Sequence, residues 1–286
     1  MGKKKQGRPK DNFLLKILIF IVKLPHYLVL LLIKIITLLW KAISFVFSHI
    51  KTLISNMKKK DVEIKVKKKK EAMTSNYEQF KLIETFAGDF SKWETKTAAA
   101  ESKIGIILGA RGSGKSAFGI KFLENIYAKT KKKCYAMGFK AEEMPSWIEC
   151  VEDVSQIKND AFILIDEGGI LFSARDAMSQ ANKVLSDLIL VARHKNLNIL
   201  FISQNSANLD INILRQADYL VLKQNSLLQL DFERKKIKEL YIEAKNDFER
   251  LKDTAGLTYI YSDLFRGFVS NTLPSFWSTN ISKSFK

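Results

Sequence analysis

The stretch KIGIILGARGSGKSAFGIKFLENIYAKT, residues 103–130, decides the fold. Its first seven residues are a short apolar run, the pattern of a strand buried on both faces, and SAFGIKFLENIYAKT reads as a helix. Between them Gly109-Ala110-Arg111-Gly112-Ser113-Gly114-Lys115-Ser116 matches G-x-x-x-x-G-K-[ST] without a departure. Phosphate chemistry demands these residue types. Glycines let successive backbone N–H groups turn inward onto phosphate oxygens, and the helix N-terminus adds its dipole. Lys115 is placed to reach the β- and γ-phosphates, and Ser116 to ligate Mg²⁺. The binding set is therefore Gly109, Ala110, Arg111, Gly112, Ser113, Gly114, Lys115, Ser116 and Ala117. A fortuitous glycine-rich turn is the competing reading, and it does not explain why strand, loop and helix all fall in place.

Such a site needs an acid at the end of a second buried strand, and AFILIDE, residues 161–167, supplies it. Asp166 is the expected Mg²⁺ partner. Glu167 is the candidate general base that orients or deprotonates water, with a helix-capping acid as the plain alternative. The gap between Lys115 and Glu167 leaves room for a crossover helix and one or two strands, such as KCYAMGF and WIECV. Tandem Asp-Glu belongs with P-loop enzymes whose catalytic strand lies between two others, rather than with kinases or GTPases. The guanine-reading N-K-x-D motif does not occur, so ATP is the default nucleotide.

Beyond this, Arg175 to Lys195 has helical periodicity and ends beside the apolar run NILFISQ, so Gln204 falls at a strand's C-terminal end, where α/β sheets present residues to ligands. It is placed to sense the γ-phosphate or the attacking water. LDINILRQADYLVLK reads as a short helix and strand, LLQLDFERKKIKELYIEAKNDFERL as helical, and TYIYSDLFRGFVSN as a hairpin turning near Asp263-Leu264.

GARGSGKS, ILIDE, the ARHKNLNILFISQ block and LDINILRQAD together resemble the FtsK/HerA superfamily of DNA-translocating P-loop ATPases, especially its small viral genome-packaging and zonular-occludens-toxin-like branches. The resemblance covers residues 100–225. It implies a RecA-like α/β core, a mainly parallel sheet flanked by helices, that forms a homohexameric ring, hydrolyses ATP with Mg²⁺ between subunits and threads double-stranded DNA. Arg193 stands where such rings carry an arginine that reaches the neighbour's γ-phosphate. A structural salt bridge is its alternative role, with Arg175 and Arg215 as substitutes for the finger. Two departures matter: the DNA-reading C-terminal domain of the large translocases is missing, and toxin-like phage proteins put the ATPase before the membrane segment, the reverse of the order here. A toxin-like ATPase for virion assembly or export, moving protein, is thus the alternative function, and viral or mobile-element assembly proteins are candidate partners.

That membrane segment is residues 13–57, almost wholly apolar but interrupted by Lys16, Lys23, Lys34, Lys41 and Lys51. At about 100° per residue the first four lysines fall within roughly 20° of one another on a helix. About a dozen Leu, Val and Ile at roughly −0.5 kcal/mol each nearly cancel two lysines at about +3 kcal/mol each, so spanning and lying flat stay open. Pro25 is expected to break or kink the segment. Residues 1–12 form a basic tail, 58–74 a basic linker and 75–286 the ATPase domain. The chain of 286 residues carries net charge +17, and residues 1–70 hold 18 basic against 3 acidic side chains. Anionic lipid attracts such runs, and the larger C-terminal excess favours a cytoplasmic ATPase domain. A uniformly basic globule is excluded. Cys134 and Cys150 lie in apolar surroundings and read as free thiols in a reducing compartment, and His26, His49 and His194 lack partners at metal-ligand spacing.

Overall fold

The computed structural model describes residues 12–167 and 177–282. The chain divides into two units, Met1–Lys65 and Val66–Lys286.

The described residues of the first unit lie in one helix, α1 (Asn12–Ala72), which runs on into the start of the second and holds Pro25 in its interior. Proline lacks one helical N–H but does not stop a helix whose other residues favour it. The helix also continues through 58–72, where the basic run suggested a linker. Lysine and glutamate are good helix formers, no Gly or Pro interrupts them, and Lys67 and Glu71 pair across one turn at 4.0 Å. Within α1, Leu28–His49 is long and apolar enough to cross a membrane, and none of it is buried.

The second unit is a nine-stranded sheet between helical layers. In chain order its elements are β1 (Lys81–Gly88), α2 (Phe90–Ala99), β2 (Ile104–Leu108), α3 (Lys115–Thr130), β3 (Lys133–Met137), β4 (Ile148–Cys150), β5 (Ala161–Asp166), α4 (Ala177–Lys195), β6 (Leu197–Ile202), α5 (Ile211–Arg215), β7 (Tyr219–Leu222), α6 (Leu227–Phe232), α7 (Lys235–Glu243), α8 (Lys245–Arg250), β8 (Leu257–Ser262), β9 (Phe265–Ser270) and α9 (Thr279–Ser282). The strand order is β1-β9-β8-β7-β2-β6-β5-β3-β4. Strands β7 through β4 are parallel, and β8, β9 and β1 extend the sheet antiparallel. This is the expected α/β core of the P-loop type. The hairpin turns at Asp263-Leu264 as read from the sequence, whereas β1 and α2 had no clear pattern: β1 is exposed at most positions, and α2 is ten residues long.

Alternation along the strands builds two cores. Ile106, Leu108, Ile163, Ile165 and Phe201 face α4, α7 and α8. Ile107, Phe162, Leu164 and Ile202 face α2 and α3, joined by Trp93, Phe118, Phe122 and Tyr219. Gly105 is needed on this second face, because a Cβ there would stand 2.2 Å from the Tyr219 ring.

Helix α3 also carries a buried polar clamp. Glu124, fully buried, accepts from Asn76 N at 3.0 Å, Ser275 N at 3.2 Å and Lys121 Nζ at 3.1 Å, while Asn125 brackets Glu78 through its N–H (3.0 Å) and its carbonyl (2.7 Å). The entry to the ATPase domain and its C-terminal segment are thereby tied to the helix that begins at the P-loop. Without Glu124 the buried Lys121 keeps the half-exposed Glu78 carboxylate at 3.3 Å, and losing one partner of a buried charge pair typically costs about 3–5 kcal/mol. Glu124→Ala is therefore expected to destabilise the second unit by about that amount in denaturant titration, and a change under about 1 kcal/mol would show that the clamp is dispensable.

Candidate nucleotide site

Strand β2 is bonded on both sides, to β6 and β7, so its end is a fixed platform. From it the loop turns through left-handed glycines, Gly112 at φ 78° and Gly114 at φ 89°. At Gly112 a Cβ would meet nothing within 4 Å, so conformation rather than crowding requires glycine there. Ala110 N is anchored on Gln224 O at 3.1 Å, and Ser113 N on Ala110 O at 3.2 Å. Helix α3 then starts at Gly114 with no side-chain cap. Its first-turn N–H groups therefore face the loop, the arrangement that receives anions.

Lys115 is buried, with Nζ 2.8 Å from both Gly109 O and Ala110 O. Burial pulls its pKa down, while Asp166 and Glu167 pull it back up. Ser116 Oγ donates to Asp166 Oδ2 at 2.9 Å, so the two expected metal ligands from β5 and α3 already meet. Ser113 Oγ, shielded from solvent, has no hydrogen-bond partner. Hard oxygens in pairs suit Mg²⁺, and an unpaired hydroxyl beside uncapped N–H groups suits phosphate, so the residues present fit both groups.

Glu167, at the end of β5, is 3% exposed. Burial raises its pKa, and hydrogen bonds from the Ser203 side chain, the Gln204 backbone N–H and the Asn208 side chain pull it down again, with a smaller contribution from Lys115. Strand β6 lies between β2 and β5 and delivers this polar set to the carboxylate. Gln204 thus reaches Glu167 through its backbone, and its side chain is exposed. Ser203 and Asn208 were missed in the sequence. The available signal was the polar run SQNSAN following an apolar strand. Asn182 of α4 secures that run, donating to Asn208 O at 3.0 Å and accepting from Asp210 N at 2.9 Å.

Arg193 sits exposed in the last turn of α4, and no ion pair or side-chain hydrogen bond engages it among the described residues. Arg215 is also exposed, and Arg175 lies outside the described residues. The basic runs that could have faced DNA are partly engaged. Arg234 clamps Ser206 O at 3.0 Å and Leu209 O at 2.5 Å, Lys132 holds Ala100 O at 2.6 Å, and Lys236 and Lys238 pair with Glu239 and Asp231. Both cysteines are free, and burial pushes Cys150 up to about 11. A cavity of about 330 Å³ opens beside the loop, between Arg111 and Gly112 on one wall and Gln224, Lys252, Thr254 and Leu257 on the other.

The family model described as zonular occludens toxin (Zot) matches residues 119–231, a span that starts just after the P-loop and includes Asp166, Glu167, Arg193 and Gln204. No curated protein matches the chain. Among solved structures, the DNA-packaging ATPase B204 of Sulfolobus turreted icosahedral virus is 14% identical, with 60% of this chain and 98% of that one covered and a TM-score of 0.41. B204 of Sulfolobus turreted icosahedral virus 2 with ATPγS is 16% identical, covering 60% and 99%, at 0.42. The pCW3 conjugation coupling protein TcpA with ATPγS is 13% identical, covering 65% and 63%, at 0.43. Likenesses of this size carry no argument about activity. On its own residues, a complete P-loop whose Ser116 meets Asp166 at the end of β5, the chain carries a P-loop ATPase domain, part of which, after the P-loop, matches the zonular occludens toxin model.

Proposed function

We propose that this chain is a membrane-attached, Mg²⁺-dependent ATPase that couples hydrolysis to the translocation of double-stranded DNA, in viral genome packaging or mobile-element transfer. The observation that carries the hydrolytic part is the meeting of three elements at one point: the P-loop, the Ser116–Asp166 pair and a buried Glu167 held by the polar end of β6. The cargo and the hexameric ring rest on the ARHKNLNILFISQ resemblance. The match to the zonular occludens toxin family, together with basic runs that are partly engaged, favours the second reading, movement of protein in virion assembly or export.

In this mechanism the loop N–H groups and Lys115 hold the β- and γ-phosphates, and the 330 Å³ cavity beside them takes the ribose and base. Ser116 and Asp166 would hold Mg²⁺, which when bound would neutralise phosphate charge. Glu167 accepts a proton from, or orients, the attacking water, with Gln204 sensing the γ-phosphate from the strand end. Arg193, exposed and unengaged, is supplied to the site of a neighbouring subunit. The first unit attaches to anionic membrane through Leu28–His49 and the lysines around it, with the ATPase domain on the cytoplasmic side.

A general base works only when ionised. Because burial raises Glu167, the acidic limb of kcat is expected above the ordinary carboxylate range, and Asn208→Ala, which removes a bond favouring the ionised form, is expected to move it to still higher pH. Glu167→Gln should abolish hydrolysis while retaining ATP binding, and mixing it with Arg193→Ala subunits should restore part of the rate. A full rate in Glu167→Gln, or no rescue between properly assembled mutants, would remove the respective role. Duplex DNA is expected to stimulate the ATPase of the purified full chain at low salt. An unchanged rate with no detectable binding would sink the DNA reading in favour of a protein cargo. Finally, the full chain is expected to float with anionic vesicles; resistance to carbonate would mark a spanning helix and release a surface-bound one, and complete solubility would refute attachment.

A further inference from the structure

Lys223 follows β7 directly beside the P-loop. Its N–H donates to Leu108 O at 2.8 Å, and a Cβ on Gly109 would lie 2.7 Å from its own Cβ. Alternation puts it on the face of Tyr219 and Val221, under α3, where it is 1% exposed. Its Nζ lies 5.4 Å from the centre of the Phe118 ring and 4.0 Å from where a Cβ on Gly114 would stand. Three oxygens cage it: Gly256 O at 3.0 Å, Leu257 O at 3.3 Å and Asn271 Oδ1 at 3.0 Å. All three are neutral.

No carboxylate pairs with Lys223 among the described residues. Of the titratable groups packed near it, Tyr241 of α7 donates its hydroxyl to the Lys223 backbone carbonyl at 3.2 Å, and its phenol is kept neutral by burial. Lys115 of α3 engages the Gly109 and Ala110 carbonyls, and β8 and β9 present only Thr258 and Asn271. A neutral donor would rivet the same three oxygens without the cost of burying a charge. An ammonium behind a loop built to hold phosphate is explained if the missing negative charge arrives on the other side of that loop.

We propose that Lys223 is a second cation of the phosphate-binding loop, a positioning residue that stands behind Gly109 and Gly114 and attracts a bound triphosphate through the loop rather than by contact. This rests on the nucleotide-site reading above. Burial alone pushes the Lys223 pKa down, to about 7. Phosphate charge nearby favours the ammonium, so the bound-state value lies higher. Nucleotide binding then takes up a proton at pH above 7; affinity is full below that pH and falls as pH rises through it.

The test is the affinity of the full chain for a fluorescent ATP analogue with Mg²⁺ from about pH 6 to about pH 9, with calorimetry in two buffers of unlike ionisation enthalpy at about pH 8 to count protons. Wild type is expected to lose affinity across the range and to take up protons. Lys223→Met is expected to bind about tenfold more weakly at the acidic end, with a smaller loss for ADP, and to show a flatter profile. Asn271→Asp, which keeps the lysine but gives it a permanent counter-charge, is expected to flatten the profile and reduce the proton uptake. Wild type without uptake or slope, or either folded variant matching wild type in both, overturns the proposal; a lysine that merely rivets the hairpin gives those results. Wild type that binds no nucleotide at any pH sinks the site reading itself, a result distinct from loss of the pH dependence alone.

Discussion

The position of one strand governs this molecule. Because β2 is hydrogen-bonded to β6 on one side and β7 on the other, its C-terminal end cannot move without disturbing both neighbours. Each neighbour brings a part of the site to that end. Strand β6 brings Ser203, Gln204 and the run to Asn208, which engage Glu167. Strand β7 brings Lys223 and Gln224, which hold the loop from behind and accept its Ala110 N–H. Both parts of the candidate site are therefore arranged about one axis, with the loop held by β7 on one side and the polar end of β6 on the other.

Helix α3 extends that constraint away from the site. Its uncapped start faces the loop, its apolar face packs on β5 and β6 closely enough that a Cβ on Gly119 would stand 2.7 Å from Leu164 Cδ1, and its middle holds the Glu124 clamp. Through Asn76 and Glu78 the clamp fixes the chain that follows α1, and through Ser275 it fixes the end of the sheet domain.

What the sequence disclosed, and what it concealed, follows from the range of the interactions. The P-loop, the AFILIDE strand and the Asp263-Leu264 turn are specified by neighbours in the chain, and the structure places each of them where periodicity and turn chemistry put them. Of the antiparallel extension, β1 was hidden because it pairs with β9, almost two hundred residues away, and shows no buried alternation of its own. The polar run that holds Ser203 and Asn208 gives no hint that it meets Glu167 until β6 is known to lie between β2 and β5. Arg234 stands in the basic run 234–238, yet two backbone carbonyls and the Ser206 hydroxyl engage it. In α1 the local signal was overvalued: a single proline and a basic run suggested interruptions that the strong helix formers around them override.

Charge shows why composition alone would have misled. Most of the +17 lies in the first 70 residues. In the second unit several lysines act inside the fold: Lys115 holds the loop, Lys121 sits in the clamp, Lys129 bridges Glu94 at 2.9 Å beneath the Tyr77 ring, and Lys223 is caged behind the P-loop. A cation committed to an internal carbonyl or carboxylate contributes little to a long-range field at physiological salt, where screening acts over about 8 Å. Any DNA path must therefore draw on the cations left exposed, among them Arg193, Arg215, Lys131 and Lys133, and a ring that places Arg193 in a neighbour's nucleotide site removes that one as well. For the proposed DNA reading, the placement of the exposed cations on the surface of the ATPase domain therefore matters more than the net charge of the chain.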